Sequence, residues 1–259
     1  MKRKGVVLGV GEGLQNEDHY RELGAEWDAR ARAYWQHSCP QNQLALLELA
    51  LGKAGIIGFD LPDPQPSLDF GYYYPDGKGG QVFADWDSFQ AWRGAHGKLH
   101  PGAPRVAVGF FKANYYSGDM ALIDALVAEI ERKGAEAVPV FGYPGAIAFQ
   151  HLLGEGDAVR ADVGLGLFFQ FNDAQSANVL EGVGIPVINL ISLYGRSEEE
   201  WRTSTSGLSA FEGTFNLASP ELAGTVAPTV VGTKEKIRDP FSGLTSVITS
   251  PIEERVGMA

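Results

Sequence analysis

Apolar and polar positions along residues 105–141 fall into blocks that spell strand, polar stretch, helix and second strand. The apolar run 106–111 is short and rich in Val and Phe, as a buried strand is, and Ala121, Leu122, Ala125, Leu126 and Ile130 then recur at helical spacing. A crossover helix therefore joins two strands, the second ending at Phe141. The alternation continues with a helix at 145–153, a strand at 162–170, a helix at 174–182, a strand at 185–193 and a helix around 197–201. Strands separated by such helices predict an α/β fold, a doubly wound parallel sheet with right-handed crossovers. Residues 112–119 read as a polar and aromatic loop at the carboxyl end of a strand, where ligands sit in open α/β sheets.

The first hundred residues carry a different pattern. A short strand is expected at 5–10, and Leu23, Trp27, Ala31, Tyr34 and Trp35 follow mostly helical intervals within 16–36. A second helix at 41–51 is stopped by Gly52 and Gly55. Residues 58–80 hold four prolines and several glycines, so this stretch is expected to be an extended linker or to drape over a surface. A short helix at 85–92 would be capped by Asp85 or Asp87. The reading divides the chain into a helical and loop-rich segment at 1–100 and an α/β domain at 101–259, whose last sixty residues mix short strands with turns. The end at 251–259 stops as a helix begins, which suggests a chain cut from a longer one.

Composition narrows the function. The 259 residues are 44% hydrophobic, enough for a packed core, and the formal charge of −11 disfavours nucleic acid and anionic membranes as partners. Cys39 is the single cysteine, so no intramolecular disulfide forms. No apolar run approaches the roughly 20 residues that span a bilayer. The N-terminal stretch lacks a secretory pattern, and a cytoplasmic location is expected.

Local motifs offer little chemistry by themselves. Gly9-Val10-Gly11-Glu12-Gly13 has GxGxG rather than GxGxxG spacing, with a carboxylate where a pyrophosphate would lie, and reads as a plain turn. A P-loop is missing, so any ATP must bind another subunit. His96 and His100 are four apart, but Gly94, Gly97 and Pro101 break the helix that would bring them together. His37 with Cys39 is too small a ligand set for a metal, and a buried thiol is the better reading. The tyrosines Tyr72, Tyr73 and Tyr74 are expected not to share one core, so that some line a cleft. Tyr115, Tyr116 and Trp201 add further aromatic faces suited to a planar ligand.

Taken in order, several segments resemble the large subunit of the ATP-dependent tetrapyrrole chelatases, the family of the aerobic cobaltochelatase and magnesium chelatase large subunits. The resemblance runs through Ala33-Tyr34-Trp35, Asn42-Gln43-Leu44, Gly71-Tyr72-Tyr73-Tyr74-Pro75-Asp76, Ser117-Gly118-Asp119 and Asp124-Ala125-Leu126. It continues in Pro139-Val140-Phe141, Ile185-Pro186-Val187, Glu199-Glu200-Trp201, Gly207-Leu208-Ser209 and Pro220-Glu221-Leu222-Ala223-Gly224. Tyr74 stands where the family has His, and Ala223 where it has Asp. The family's chains are several times longer, so the likeness covers an internal portion.

The resemblance implies a flavodoxin-like sheet with an N-terminal extension. It also implies insertion of Co2+ or Mg2+ as substrate into a corrin or porphyrin, with ATP consumed on separate ATPase subunits and no cofactor held by this chain. Glu221 becomes the candidate for proton acceptance or metal delivery. Tyr73, Tyr74, Tyr115, Tyr116 and Trp201 become candidates for the ring, and Lys112 and Asn114 for its polar periphery. The competing reading is a non-catalytic binding module of periplasmic-binding-protein type, which predicts two similar α/β lobes; a scaffold fragment of a larger subunit is the third.

Overall fold

The computed structural model describes residues 8–9, 17–56, 58, 60–77, 79–154, 158–167, 174–238, 240 and 243–259. Two compact units emerge, Met1–Leu68 with Tyr115–Gly118, and Asp69–Asn114 with Asp119–Ala259. The division expected near residue 100 thus falls after Leu68, because the segment that follows pairs into the sheet of the second unit.

In the first unit, β1 (Leu8–Gly9) pairs in parallel with β2 (Glu26–Trp27), and α1 (Glu17–Glu22) lies between them in sequence. The helical intervals read through 16–36 are broken at Gly24, whose φ of 90° is open to glycine and costly for other residues. A new helix, α2 (Ala29–Gln36), starts at Asp28, whose carboxylate accepts the Arg30 and Ala31 amides. Next, α3 (Pro40–Lys53) begins on a proline, where the missing N–H is not needed. The proline-rich segment is pinned by Asn42, which donates to the Gln65 carbonyl at 2.8 Å and accepts the Gln65 amide at 3.0 Å. It therefore drapes over these helices. Most of the Gly9–Gly13 turn lies outside the described residues.

The second unit opens with β3 (Gly71–Tyr74), β4 (Gln81–Phe83) and α4 (Trp86–Ala95), the last capped by Asp85. Then β5 (Arg105–Phe110), α5 (Lys112–Ser117), α6 (Ala121–Arg132), β6 (Glu136–Phe141), α7 (Gly145–Leu153), β7 (Val163–Gly166), α8 (Ala174–Val183) and β8 (Val187–Tyr194) follow. After them come α9 (Glu198–Thr203), α10 (Ala210–Gly213), a π-helical turn at Thr214–Ala218, α11 (Ser219–Leu222), β9 (Val226–Arg238), β10 (Thr245–Pro251) and α12 (Glu253–Val256).

The eight strands of this unit form one sheet in the order β10-β9-β8-β7-β5-β6-β3-β4. Its central strands β6-β5-β7-β8-β9 are parallel and follow the 2-1-3-4-5 order of flavodoxin-like folds, as the resemblance implied. Antiparallel strands extend both edges. Leu122, Ile123, Leu126, Val127 and Ile130 of α6 are buried on the sheet, and Ala148, Phe149, Leu152 and Leu153 of α7 are buried likewise. Among the described residues there is one such parallel sheet, not two similar lobes.

Two sequence expectations change. Residues 112–117 coil into α5 instead of a loop, since they hold no glycine or proline, and Gly118 at φ 77° ends the turn. The irregular tail becomes a long ribbon, with β9 and β10 in register from Gly232 opposite Pro251 to Arg238 opposite Thr245. The outer strand β10 is tied down by Asp119, whose Oδ1 accepts the Thr249 amide at 2.9 Å and whose Oδ2 accepts the Thr249 hydroxyl at 2.5 Å.

Candidate functional site

The candidate residues named from sequence are dispersed. Tyr72, Tyr73 and Tyr74 are all buried, contrary to the expectation that some would line a cleft. The reason is that β3 sits inside the sheet with both faces covered. The Tyr72 ring stacks on Phe89 of α4 at 5.0 Å, and its hydroxyl donates to the Leu152 carbonyl. Tyr73 donates to Asp124 at 2.8 Å, and Tyr74 donates to Glu131 while its ring meets Trp92 at 5.0 Å. Burial, joined by the Glu131 carboxylate, pushes the Tyr74 phenol far above its usual range.

Lys112 and Asn114 follow the carboxyl end of β5. Lys112 Nζ lies 2.6 Å from Asp69 Oδ1 and holds that carboxyl below its ordinary range. Tyr115 and Tyr116 belong to the first unit, with rings 5.2 Å apart; Tyr115 is buried and the Tyr116 hydroxyl receives the Leu68 amide at 2.5 Å. Trp201 on α9 is half-buried, with the guanidinium groups of Arg202 and Arg255 each 5.8 Å from its ring centroid. Glu221 is exposed on α11, which leads into the amino end of β9, where Val226 pairs with Ile188 near the start of β8. It therefore stands at the opposite end of the sheet from Lys112 and Asn114.

What sequence reading missed is a cavity of about 510 Å³ at the carboxyl ends of β8 and β9. Its polar lining includes Ser192, Arg196, Ser209, Glu212, Asn216 and Lys234, and its aromatic side chains are Tyr194, Phe211 and Phe215, the two phenylalanine rings lying 4.4 Å apart at 48°. None of the eight sequence candidates lines it. Carboxyl-end placement and apolar walls with a few converging polar groups are what a ligand cavity of an open α/β sheet needs.

Local sequence builds this site. Ser209 and Glu212 form a capping box: the Glu212 amide donates to Ser209 Oγ at 3.2 Å, and the Ser209 amide donates to Glu212 Oε2 at 2.8 Å. Arg196, just past the end of β8, donates to the same Oε2 at 2.8 Å and to the Gly207 carbonyl at 3.0 Å. Burial raises the Glu212 carboxyl, but the Ser209 hydrogen bonds and the Arg196 charge outweigh it and hold the group below the usual carboxylate range. The side chain is thus an anion at neutral pH. The legible signal was the S-x-x-E spacing of Ser209 and Glu212 with phenylalanines at 211 and 215, one helical turn apart.

A second cavity of about 510 Å³ lies at the amino ends of β5 and β7 and is lined by Arg105, Arg160 and Asp162. A smaller one of about 130 Å³ beneath α6 is lined mainly by aliphatic residues. Among the described residues no three His, Cys, Asp or Glu side chains converge as metal ligands, and no helix is long and apolar enough to cross a membrane.

The comparisons agree with one another. A family model described as CobN/Magnesium Chelatase matches residues 32–259. The aerobic cobaltochelatase subunit CobN of a Sinorhizobium species is 30% identical over 250 residues, covering 93% of this chain and 19% of that protein. The chloroplastic magnesium-chelatase subunit ChlH of Oryza sativa subsp. indica is 25% identical over 246 residues, covering 85% of this chain and 17% of the relative. Among solved structures, the catalytic subunit of cobaltochelatase from Mycobacterium tuberculosis shares the fold, with a TM-score of 0.66 at 19% identity over 97% of this chain and 22% of that one. The chain spans about a fifth of the length of these curated relatives. It belongs to the CobN/magnesium chelatase family.

Proposed function

We propose that this chain is a portion of the tetrapyrrole-binding subunit of an ATP-dependent metal chelatase, and that the cavity beside Glu212 holds part of the macrocycle. Insertion of Co2+ or Mg2+ requires the ring to be gripped, two ring N–H protons to be accepted and the ion to lose water. The family match supplies the reaction class, and the aromatic wall set against a buried carboxylate is the observation that carries the placement. Lys112 and Asn114, after β5, stand at the same end of the sheet, where polar groups on the ring's periphery could meet them. The acceptor role expected of Glu221 passes in this reading to Glu212. ATP hydrolysis is assigned to separate subunits, and a cytoplasmic location remains part of the reading.

Titration of metal-free deuteroporphyrin IX into the protein, followed by its visible absorbance, tests this. A saturable spectral shift is expected, weakened by Phe211→Ala. Absence of any shift at high porphyrin concentration overturns the binding claim for this chain.

A further inference from the structure

Two polar atoms in the cavity lack a protein partner. Ser192 and Glu212 are 7% and 8% exposed, both line the cavity, and Ser192 Oγ and Glu212 Oε1 make no hydrogen bond to the described residues. The other carboxylate oxygen of Glu212 is committed to Arg196 and Ser209. An ionised carboxylate only accepts, so whatever satisfies Oε1 must be a donor, and a buried charged acceptor left without one is costly. Phe211 is 70% exposed next to it, a large apolar surface that a flat ligand would cover. Lys234 lines the same cavity and has no carboxylate partner among the described residues.

Resting on the tetrapyrrole reading above, we propose that this cavity grips the metal-free macrocycle at its centre, with Glu212 Oε1 and Ser192 Oγ accepting hydrogen bonds from ring N–H groups. A metal-free porphyrin carries two such donors at its centre. When a divalent ion enters, both protons leave and the donors are gone, so a square-planar, four-coordinate complex leaves Glu212 Oε1 unsatisfied, whereas Mg2+ or Co2+ would accept the carboxylate as a ligand. The N–H bonds point toward the middle of the ring, and an acceptor reaches them only from above the face, with the pyrrole tilted out of plane. That tilt is also the distortion that opens the ring to an incoming ion. Phe211 and Phe215 would supply the apolar surface against which the ring rests, and Lys234 a cation for a peripheral carboxylate.

The test compares metal-free deuteroporphyrin IX with its nickel(II) complex, whose square-planar ion has little call on an axial carboxylate. Quenching of tryptophan fluorescence gives both affinities for the unaltered protein and for Glu212→Gln, Ser192→Ala and Phe211→Ala. The unaltered protein is expected to bind the metal-free ring roughly ten- to hundredfold more tightly, the range for one hydrogen bond to a charged group. Glu212→Gln, which keeps an acceptor oxygen but loses the charge, should lower that ratio severalfold, Ser192→Ala should lower it, and Phe211→Ala should weaken both ligands alike. Equal affinities in the unaltered protein, or a ratio unchanged by Glu212→Gln, overturn the inference and leave the tetrapyrrole reading standing. Binding of neither ring overturns both.

Discussion

Glu136, at the start of β6, shows how a single side chain can tie this fold to pH. It is buried, and its carboxylate receives Arg93 Nη1 at 3.4 Å, Arg105 Nε at 3.3 Å and the His100 amide at 2.5 Å. Burial raises the carboxyl, yet the His100 amide and the two guanidinium groups leave it below the usual range. Its stabilising contribution is therefore fully present above the unfolded-state value of about 4.3 and is lost as pH falls through the lower folded value. Glu136→Gln should cost about 3–5 kcal/mol at neutral pH, because Arg93 stays buried with its charge uncompensated. Urea midpoints measured down to about pH 3 should fall steeply for the unaltered protein and less for the variant. Individual side chains were the least legible part of the sequence. Three adjacent tyrosines look too polar for one core, but a strand covered on both faces buries every residue, and each hydroxyl of Tyr72, Tyr73 and Tyr74 finds an acceptor. Glu221 drew attention through a motif, whereas Glu212 was marked only by its cap.

At the scale of elements, the alternation from β5 to β8 could be read directly, because amphipathic helices such as α6 and short apolar strands carry distinct periods. Elements whose identity depends on distant partners could not. Nothing local shows that residues 71–74 form a strand; their pairing with β6, with Gly71 opposite Phe141, decides it. Likewise β9 exists as a long strand through β8 on one side and β10 on the other. The turn that holds Glu212 is a local matter. Four residues of α10 run into the π-helical turn and α11, and the Ser209 cap is what starts them. Ser209→Ala should cost about 1 kcal/mol of stability, read as a lowered denaturant midpoint with unchanged slope. It should also raise the carboxyl pKa of Glu212, since hydrogen bonds from Ser209 help hold it down.

For the whole molecule, the 2-1-3-4-5 order sets the proposed cavity at the carboxyl ends of the parallel strands, the end at which open α/β sheets bind ligands, while α11 and Glu221 lie at the other. Because the chain spans about a fifth of the curated relatives it matches, binding and turnover should separate. The chain with porphyrin, metal ion and ATP should give no metalloporphyrin bands in the visible spectrum, whereas a longer chain of the family supplied with its ATPase subunits should. Appearance of those bands with this chain alone would contradict the division of labour proposed above. The outer strand of the sheet has a separate bearing on how the molecule survives in a crowded solution. Val247 and Ile248 on β10 are each 41% exposed, the kind of unpaired apolar border that recruits strands from other copies. By occupying the Thr249 amide, Asp119 leaves an arriving strand one donor short and sets a negative charge in its path. A residue that sequence likeness places in a family motif thus also blunts the open edge of the sheet.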